Sequence, residues 1–300
     1  MLLILKDKKK SVSGTEKTVK ILQKKLKEKN IPVDIASLEE VELFVEKNNV
    51  QAFIKNKALT DYSAVFFRKV GNRKNLAFIL SRIAQDKNIF FVDRLYRFTN
   101  DASKLKQTVA LALGKVAVPK TYFSSAYTKK SIASAENFLG LPMVIKVSQS
   151  RKGLGVYLAK NKKEALEIIQ KNPSDEIIIQ EFIPNNFDYR ILVLGTKIGC
   201  VIKRERPDKK NEFRNNVYLG ASEEFLALSQ VGATIKKEAL LAARVADIQV
   251  AGVDIVISPD NKPYVFEVNR SPAFTFDEKI SNELSSLANY LYQCCKKRKK

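Results

Sequence analysis

Val250-Ala251-Gly252-Val253-Asp254-Ile255, followed by Tyr264-Val265-Phe266-Glu267-Val268-Asn269, is the stretch on which the fold turns. Between them Ser258-Pro259-Asp260-Asn261-Lys262-Pro263 is dense in turn-forming residues, so the two runs predict an antiparallel hairpin. A four-residue loop at 259–262 puts Asp254 directly opposite Glu267. Such cross-strand Cβ atoms lie about 4.5–5.5 Å apart. Asn269, two residues on, shares the Glu267 face. Paired carboxylates repel unless a cation lies between them. Oxygen ligands without His or Cys suit Mg²⁺. The competing reading is two independent solvent-facing acids. Val253, Ile255, Val265, Phe266 and Val268 weigh against it, because apolar residues surround each acid.

Composition bounds the chemistry. The 300 residues contain 53 Lys+Arg, 32 Asp+Glu, no His and three Cys, for a net charge of +21. Without His there is no Ser-His-Asp triad, Cys-His dyad or imidazole-bound metal. Proton transfer falls to carboxylates, Lys, Tyr, water or substrate. Cys200, Cys294 and Cys295 are too few for a disulfide framework and predict reduced thiols and a cytoplasmic setting. The apolar run at residues 2–5 is short for a signal peptide, and no run approaches a membrane span, so no membrane partner is expected. The charge has two readings, an anionic partner or a general Lys-rich bias, since Lys recurs along the whole chain. Lys296-Lys297-Arg298-Lys299-Lys300 reads as a solvated end.

Outward from the hairpin, strands are predicted at residues 2–5, 33–35, 64–67 and 89–92, with helical spacing in between and a turn at Ser13-Gly14. This alternation predicts a small, largely parallel α/β domain ending near residue 100. Ser103 to Leu113 reads as a helix stopped by Val118-Pro119. Strands at 143–147, 156–158 and 177–181 surround a helix at Lys163–Gln170. The remainder is strand-rich, at 189–194, 198–203, 251–257 and 263–268, with helices at Lys236–Ile248 and 281–295.

Three further clusters are ambiguous when taken singly. Lys146 precedes Ser148–Gly155, a loop that could approach phosphates through backbone N–H groups or be a plain hairpin turn with a basic tip. Gln180-Glu181-Phe182-Ile183 with Asp188-Tyr189-Arg190 could hold a base and a ribose, or be an ordinary strand end. Glu212-Phe213-Arg214-Asn215-Asn216 suits phosphate or acyl oxygens, or a solvated loop.

In their order, these segments resemble the ATP-grasp superfamily, and within it the RimK-type glutamate ligases. The matching stretches are Asp61–Arg68, Lys104-Leu105, Pro142–Lys146, Gly153–Val156, Gln180–Ile183, Asp188–Arg190, Phe213–Asn216, Ala251–Ile255 and Glu267–Pro272. The resemblance implies an ATP-grasp fold of mixed α/β and α+β character: an N-terminal α/β domain at 1–100, a small central lid at 101–182 and a C-terminal antiparallel-sheet domain at 183–300. It implies ATP with one or two Mg²⁺, Mn²⁺ being a substitute. Lys104, Lys146, Gly153 and Gly155 would contact the phosphates. Glu181, Phe182 and Ile183 would hold the adenine, and Asp188 the ribose. Asp254, Glu267 and Asn269 would bind metal. Arg214, Asn215 and Asn216 would lie by the transferring phosphoryl group, with Arg190, Arg204 and Arg68 toward the acyl substrate.

The implied reaction converts a carboxylate to an acylphosphate, which an amine displaces to give an amide. The partners are a small-molecule, peptide or protein carboxylate and an amine or amino-acid donor such as glutamate. Oligomeric state is left open. A His-free site suits phosphoryl transfer, which needs positioning and charge neutralisation. Gly220-Ala221 replaces a usual double glycine, Ala273 a usual glycine, and Arg270 a usual small residue. The rival readings are another ATP-grasp ligase acting on a cofactor or amino-acid precursor, and a non-catalytic nucleotide-binding protein with an anionic partner. No nucleic-acid motif is visible, so nucleic acid is not expected as a partner.

Overall fold

The computed structural model describes residues 1–8, 13–47, 49–97, 103–147, 155–173, 176–206, 212–215 and 217–296. The chain opens with β1 (Leu2–Lys6), α1 (Ser13–Lys27) and β2 (Val33–Ser37). β3 (Val41–Glu46), β4 (Asn49–Ile54) and β5 (Lys57–Ala58) follow, then β6 (Ala64–Arg68), α2 (Lys74–Asp86) and β7 (Phe90–Val92). The expected parallel sheet is present, in the order β2-β1-β6-β7. Both of its faces are covered. Leu2 and Ile4 pack with α1, while Leu3 and Leu5 pack with α2, which is why β1 is a continuous apolar run. Ser13-Gly14 forms no turn here, because α1 begins at Ser13.

β3, β4 and β5 form a separate antiparallel sheet that has no counterpart in the sequence reading. Its first strand does not alternate cleanly, and Phe44 and Val45 are exposed, so no buried face marks it.

Helix α3 (Lys104–Leu113) leads into β8 (Thr121–Tyr122), α4 (Lys129–Leu139), β9 (Met143–Val147), β10 (Val156–Ala159), α5 (Lys162–Lys171) and β11 (Ile177–Glu181). These four strands form an antiparallel sheet ordered β10-β9-β11-β8. Met143, Ile145, Ile177 and Ile179 pack under α4 and α5, which leaves Lys146 on the opposite face. α3 ends at Leu113, as the sequence predicts, with Gly114 as its cap. A Cβ at Gly114 would stand 2.5 Å from a Val245 methyl, so close helix packing explains the glycine.

The last part comprises β12 (Phe187–Leu194), β13 (Lys197–Glu205), β14 (Ser222–Leu226), α6 (Ala233–Val245), β15 (Val250–Ile257), β16 (Pro263–Asn269) and α7 (Glu283–Lys296). The strands form an antiparallel sheet ordered β14-β13-β12-β15-β16. α6 lies a few residues before its expected span. Ile191, Val193, Val253 and Val265 face α6, while Leu192 and Leu194 face α7 and, through it, α1. Asp188 and Arg190 share the parity of Leu192, so one face of β12 passes from apolar core to a polar end. Cys294 and Cys295 are buried on α7 and form no disulfide among the described residues.

Asp254 pairs with Glu267, as the sequence predicts. The route differs, because Ile257 pairs with Pro263 and Ile255 with Val265. A bulge then inserts Phe266. The bulge lets Val265 and Val268 both stay in the core.

Contacts from α3 and from the end of β7 tie other parts to this hairpin. The Gln107 amide of α3 donates to the Val268 carbonyl and accepts from the Val268 N–H, each at 2.9 Å, and so acts as an extra strand residue on β16. Asp93, just after β7, accepts backbone N–H bonds from Gln249 and Val250 where β15 begins.

Gln107→Leu removes both partners of Val268 and is expected to cost about 1–3 kcal/mol, read from denaturant unfolding. Burial raises the Asp93 carboxyl to about 7 against the two N–H donors that favour its charge. Its folded value exceeds its unfolded one, so its stabilisation is complete below roughly pH 4 and is lost as pH rises through about 7. Asp93→Asn keeps an acceptor oxygen. Melting temperatures at pH 5 and pH 8 should therefore lie closer together in this variant than in the parent, and parallel profiles would contradict this assignment.

Candidate active site

One face of the C-terminal sheet carries a connected set of charges. Asp188 and Arg204 are register partners, as are Arg190 and Asp254. Arg204 donates from Nε and Nη2 to the two Asp188 oxygens at 2.7 and 2.8 Å. Arg190 does the same to Asp254 at 2.9 and 2.8 Å. Arg204 Nη2 also reaches Asp254 at 3.2 Å and links the two pairs. Bidentate geometry fixes each guanidinium plane. Burial works against the Asp254 charge, but the two arginines outweigh it and hold the carboxyl below its usual value. Burial prevails at Asp188 and lifts it to about 6.

Three residues singled out in the sequence have protein partners here. Asp188, expected at a ribose, has both oxygens engaged by Arg204. Arg190 and Arg204, expected at the acyl substrate, are committed to the two aspartates. Charge alternation across three paired strands causes this, and residue order along the chain does not display cross-strand partners.

Asn269 donates to Asp254 at 3.4 Å, which places the expected metal-ligand types in one patch. Glu267 is open to solvent, yet neighbouring protein and the Asp254 charge raise its carboxyl, with Lys104 and Lys146 opposing them. Burial lowers the Lys146 ammonium to about 8, partly opposed by Glu267. Lys146 Nζ lies 4.9 Å from the Phe266 ring centre, so the bulge residue seats the lysine of the facing sheet. Lys104 Nζ donates to the Val147 carbonyl at 3.3 Å. The Glu176 carboxylate accepts the Lys104 and Leu105 N–H groups and so holds the start of α3.

A second wall comes from the β11–β12 connection. Glu181 accepts the Lys120 N–H at 2.7 Å, and Ile183 is buried. Phe182 packs edge-on against Phe213 at 6.3 Å. Arg214 is paired with Glu212 at 2.8 and 2.9 Å, and Asn215 donates to Asn185 at 2.7 Å. Gly155 adopts a φ of 110°, which side chains rarely tolerate, and its carbonyl accepts the Val147 N–H. Gly153, Asn216 and most of the 148–155 loop lie outside the described residues. Arg68 is buried beneath Pro272 and Phe274, so it does not open toward this face.

Among the described residues no three His, Cys, Asp or Glu side chains cluster as a metal cage. The fit to Mg²⁺ therefore rests on Glu267 and Asn269 beside Asp254, all hard oxygen donors. Two guanidiniums already neutralise Asp254, and Glu267 keeps the solvent access that a cation retaining waters requires. The donor chemistry suits Mg²⁺. Two ammonium groups beside an aromatic wall suit a nucleotide. Gln107, Phe266 and Glu176 have positioning roles that the sequence reading missed. Gln107 shares the inward face of α3 with Lys104, Thr108 and Leu111, so no break in an apolar stripe marks it.

Residues 101–286 match the RimK-like ATP-grasp domain. The chain is 30% identical over 225 residues to a probable alpha-L-glutamate ligase of Rhodopirellula baltica, covering 73% of this chain and 54% of that longer protein. It is 29% identical over 273 residues to a probable alpha-L-glutamate ligase of Vibrio vulnificus, covering 89% of this chain and 87% of that one. The fold matches the ATP-grasp ligase PsnB, solved with minimal precursor, Mg and ADP, at a TM-score of 0.72 and 13% identity over 98% of this chain and 97% of PsnB. The chain belongs to the RimK-like ATP-grasp family and is an ATP-dependent ligase.

Proposed function

We propose that this ATP-dependent carboxylate–amine ligase joins glutamate to a carboxylate of a peptide, protein or small molecule through an acylphosphate. One observation carries the reading. Lys146, seated on the Phe266 ring next to Glu267, and Lys104, bonded to the Val147 carbonyl, bring ammonium groups from two elements toward the Asp254–Glu267–Asn269 patch. Cations facing a hard oxygen set is what transfer of a phosphoryl group from ATP demands.

In this reading Lys104 and Lys146 hold the phosphates, and the backbone around Gly153 and Gly155 closes over them. Glu181, Phe182 and Ile183 form the adenine wall. Asp254, Glu267 and Asn269 hold one or two Mg²⁺, and the ion supplies charge neutralisation for the phosphates. Arg190 and Arg204 keep Asp254 ionised and in place, and Asp188 acts through Arg204. Arg214, Asn215 and Asn216 form the rim nearest the transferred group. The acceptor carboxylate oxygen attacks the γ-phosphorus, and ADP leaves. The amine nitrogen then attacks the acyl carbon, phosphate leaves, and the nitrogen loses a proton to solvent. Excluding water matters because acylphosphates hydrolyse. Buried cysteines without a disulfide fit a reducing, cytoplasmic setting. Among the described residues no helix is long and apolar enough to cross a membrane.

The test is ADP and phosphate release from Mg-ATP against a panel of carboxylate acceptors, with glutamate as the amine. Acceptor-stimulated release is expected. Glu267→Gln should lower it by about a hundredfold or more while circular dichroism is unchanged. Unaltered turnover in that variant would contradict the site.

A further inference from the structure

A net charge of +21 far exceeds what the site above uses. A general abundance of Lys scatters cations among acids, as on α5, where Lys162, Lys163 and Lys171 accompany Glu164 and Glu167. Helix α1 differs. Lys17, Lys20, Lys24 and Lys27 follow one another at intervals of three or four residues, and all four are exposed. They fall within about 80° of one helix face and form a ladder about 15 Å long. The acids on its two flanks are held by other lysines, Glu16 by Lys6, and Glu278 by Lys25 at 2.9 Å. Glu28 follows the ladder at the end of α1 and is exposed. Among the described residues none of the four ladder lysines has a carboxylate in ion-pair contact.

Nothing within the helix explains the ladder. Like charges three and four residues apart destabilise a helix. The helix dipole favours cations in the last turn, which accounts for Lys24 and Lys27 but not for Lys17 or Lys20. Lys17 Nζ rests 4.7 Å from the centre of the Phe276 ring, which fixes its place without neutralising it. At the other end Lys29 and Lys296 lie 5.8 and 5.5 Å from the centre of the Tyr292 ring, so α7 adds a further cation beside the end of α1. A row of unmatched, evenly spaced cations on a rigid helix fits an evenly charged polyanion.

Three features select that polyanion. The apolar stripe of α1, Val19, Leu22 and Leu26, is buried in the core with β1 and α7, so the helix has no apolar face to sink into a bilayer. α1 has no aromatic residue, so it offers unpaired bases nothing to stack on. Packed along its other side, it can lie on a surface but cannot enter a deep groove. The wide, shallow minor groove of A-form RNA presents its phosphates to such a ridge. We propose that the Lys17–Lys27 ladder of α1 is a docking surface for the phosphate backbone of double-helical RNA, held by charge and shape and not by sequence. The absence of a nucleic-acid motif argues against base reading, and backbone docking needs no such motif. None of these lysines belongs to the ligase site, so docking and catalysis are separable.

The test measures binding of an RNA duplex of about 16 base pairs, and of a DNA duplex of the same sequence, by fluorescence anisotropy at salt from about 50 to 200 mM. For the parent on RNA, log K should fall against log salt with a slope of about −3 to −4, the value for about four phosphate contacts. Lys20→Gln/Lys24→Gln should reduce that slope by about 2 and weaken binding by about tenfold or more. Lys20→Arg/Lys24→Arg should bind as the parent does. Lys129→Gln/Lys130→Gln removes the same charge from exposed positions on α4 and should leave the slope unaltered. An equal loss in this α4 variant would overturn the proposal, since net charge alone would then be the cause. So would a slope unaltered in Lys20→Gln/Lys24→Gln, DNA bound as tightly as RNA, or no RNA binding by the parent at the lowest salt. Parent bound to phosphatidylserine vesicles but not to RNA would overturn it in favour of a membrane surface.

Discussion

Placing Asp254 inside an antiparallel sheet is the constraint on which the site depends. An isolated carboxylate there would neutralise itself or open the sheet. Arg190 and Arg204 prevent both outcomes, and Asp188 in turn compensates Arg204. The network is costly to break in the middle. Removing one partner of a buried pair leaves an uncompensated charge, an effect of about 3–5 kcal/mol. What the network secures is a negative centre of fixed orientation at the polar end of a sheet whose other end is core. Glu267, left outside the network, is the one acid of the row open to solvent.

The bulge at Phe266 extends the same logic to β16. Strict alternation would give either Val265 or Val268 to the wrong face. The inserted residue keeps both in the core, sets Glu267 opposite Asp254, and presents an aromatic ring to Lys146. Gln107 then fixes Val268 between Glu267 and Asn269 from outside the sheet. Two sheets and a helix are thereby registered on one strand, which accounts for lysines distant in sequence standing toward one face of the hairpin.

What the sequence revealed follows from which signals are local. The parallel sheet was legible because β1, β6 and β7 are unbroken apolar runs, and the hairpin because turn formers stand between two such runs. Asp254 opposite Glu267 was legible through strand periodicity, although the bulge that delivers it was not. The β3–β5 sheet was missed because its strands have little buried face. The partners of Asp188, Arg190, Arg204 and Arg214 were missed for a different reason. Each has an opposite charge two residues away or on a neighbouring strand, which residue order alone does not display. Arg68 is the reverse case, a buried arginine that composition cannot display.

The account stands most directly on the claim that a carboxylate is activated by phosphorylation. The decisive measurement uses acceptor carboxylate labelled with ¹⁸O, with mass analysis of the phosphate released during Mg-ATP-dependent ligation. Transfer of one ¹⁸O into phosphate is the predicted result, since the attacking carboxylate oxygen leaves with the phosphoryl group. Amide formation with unlabelled phosphate would contradict it.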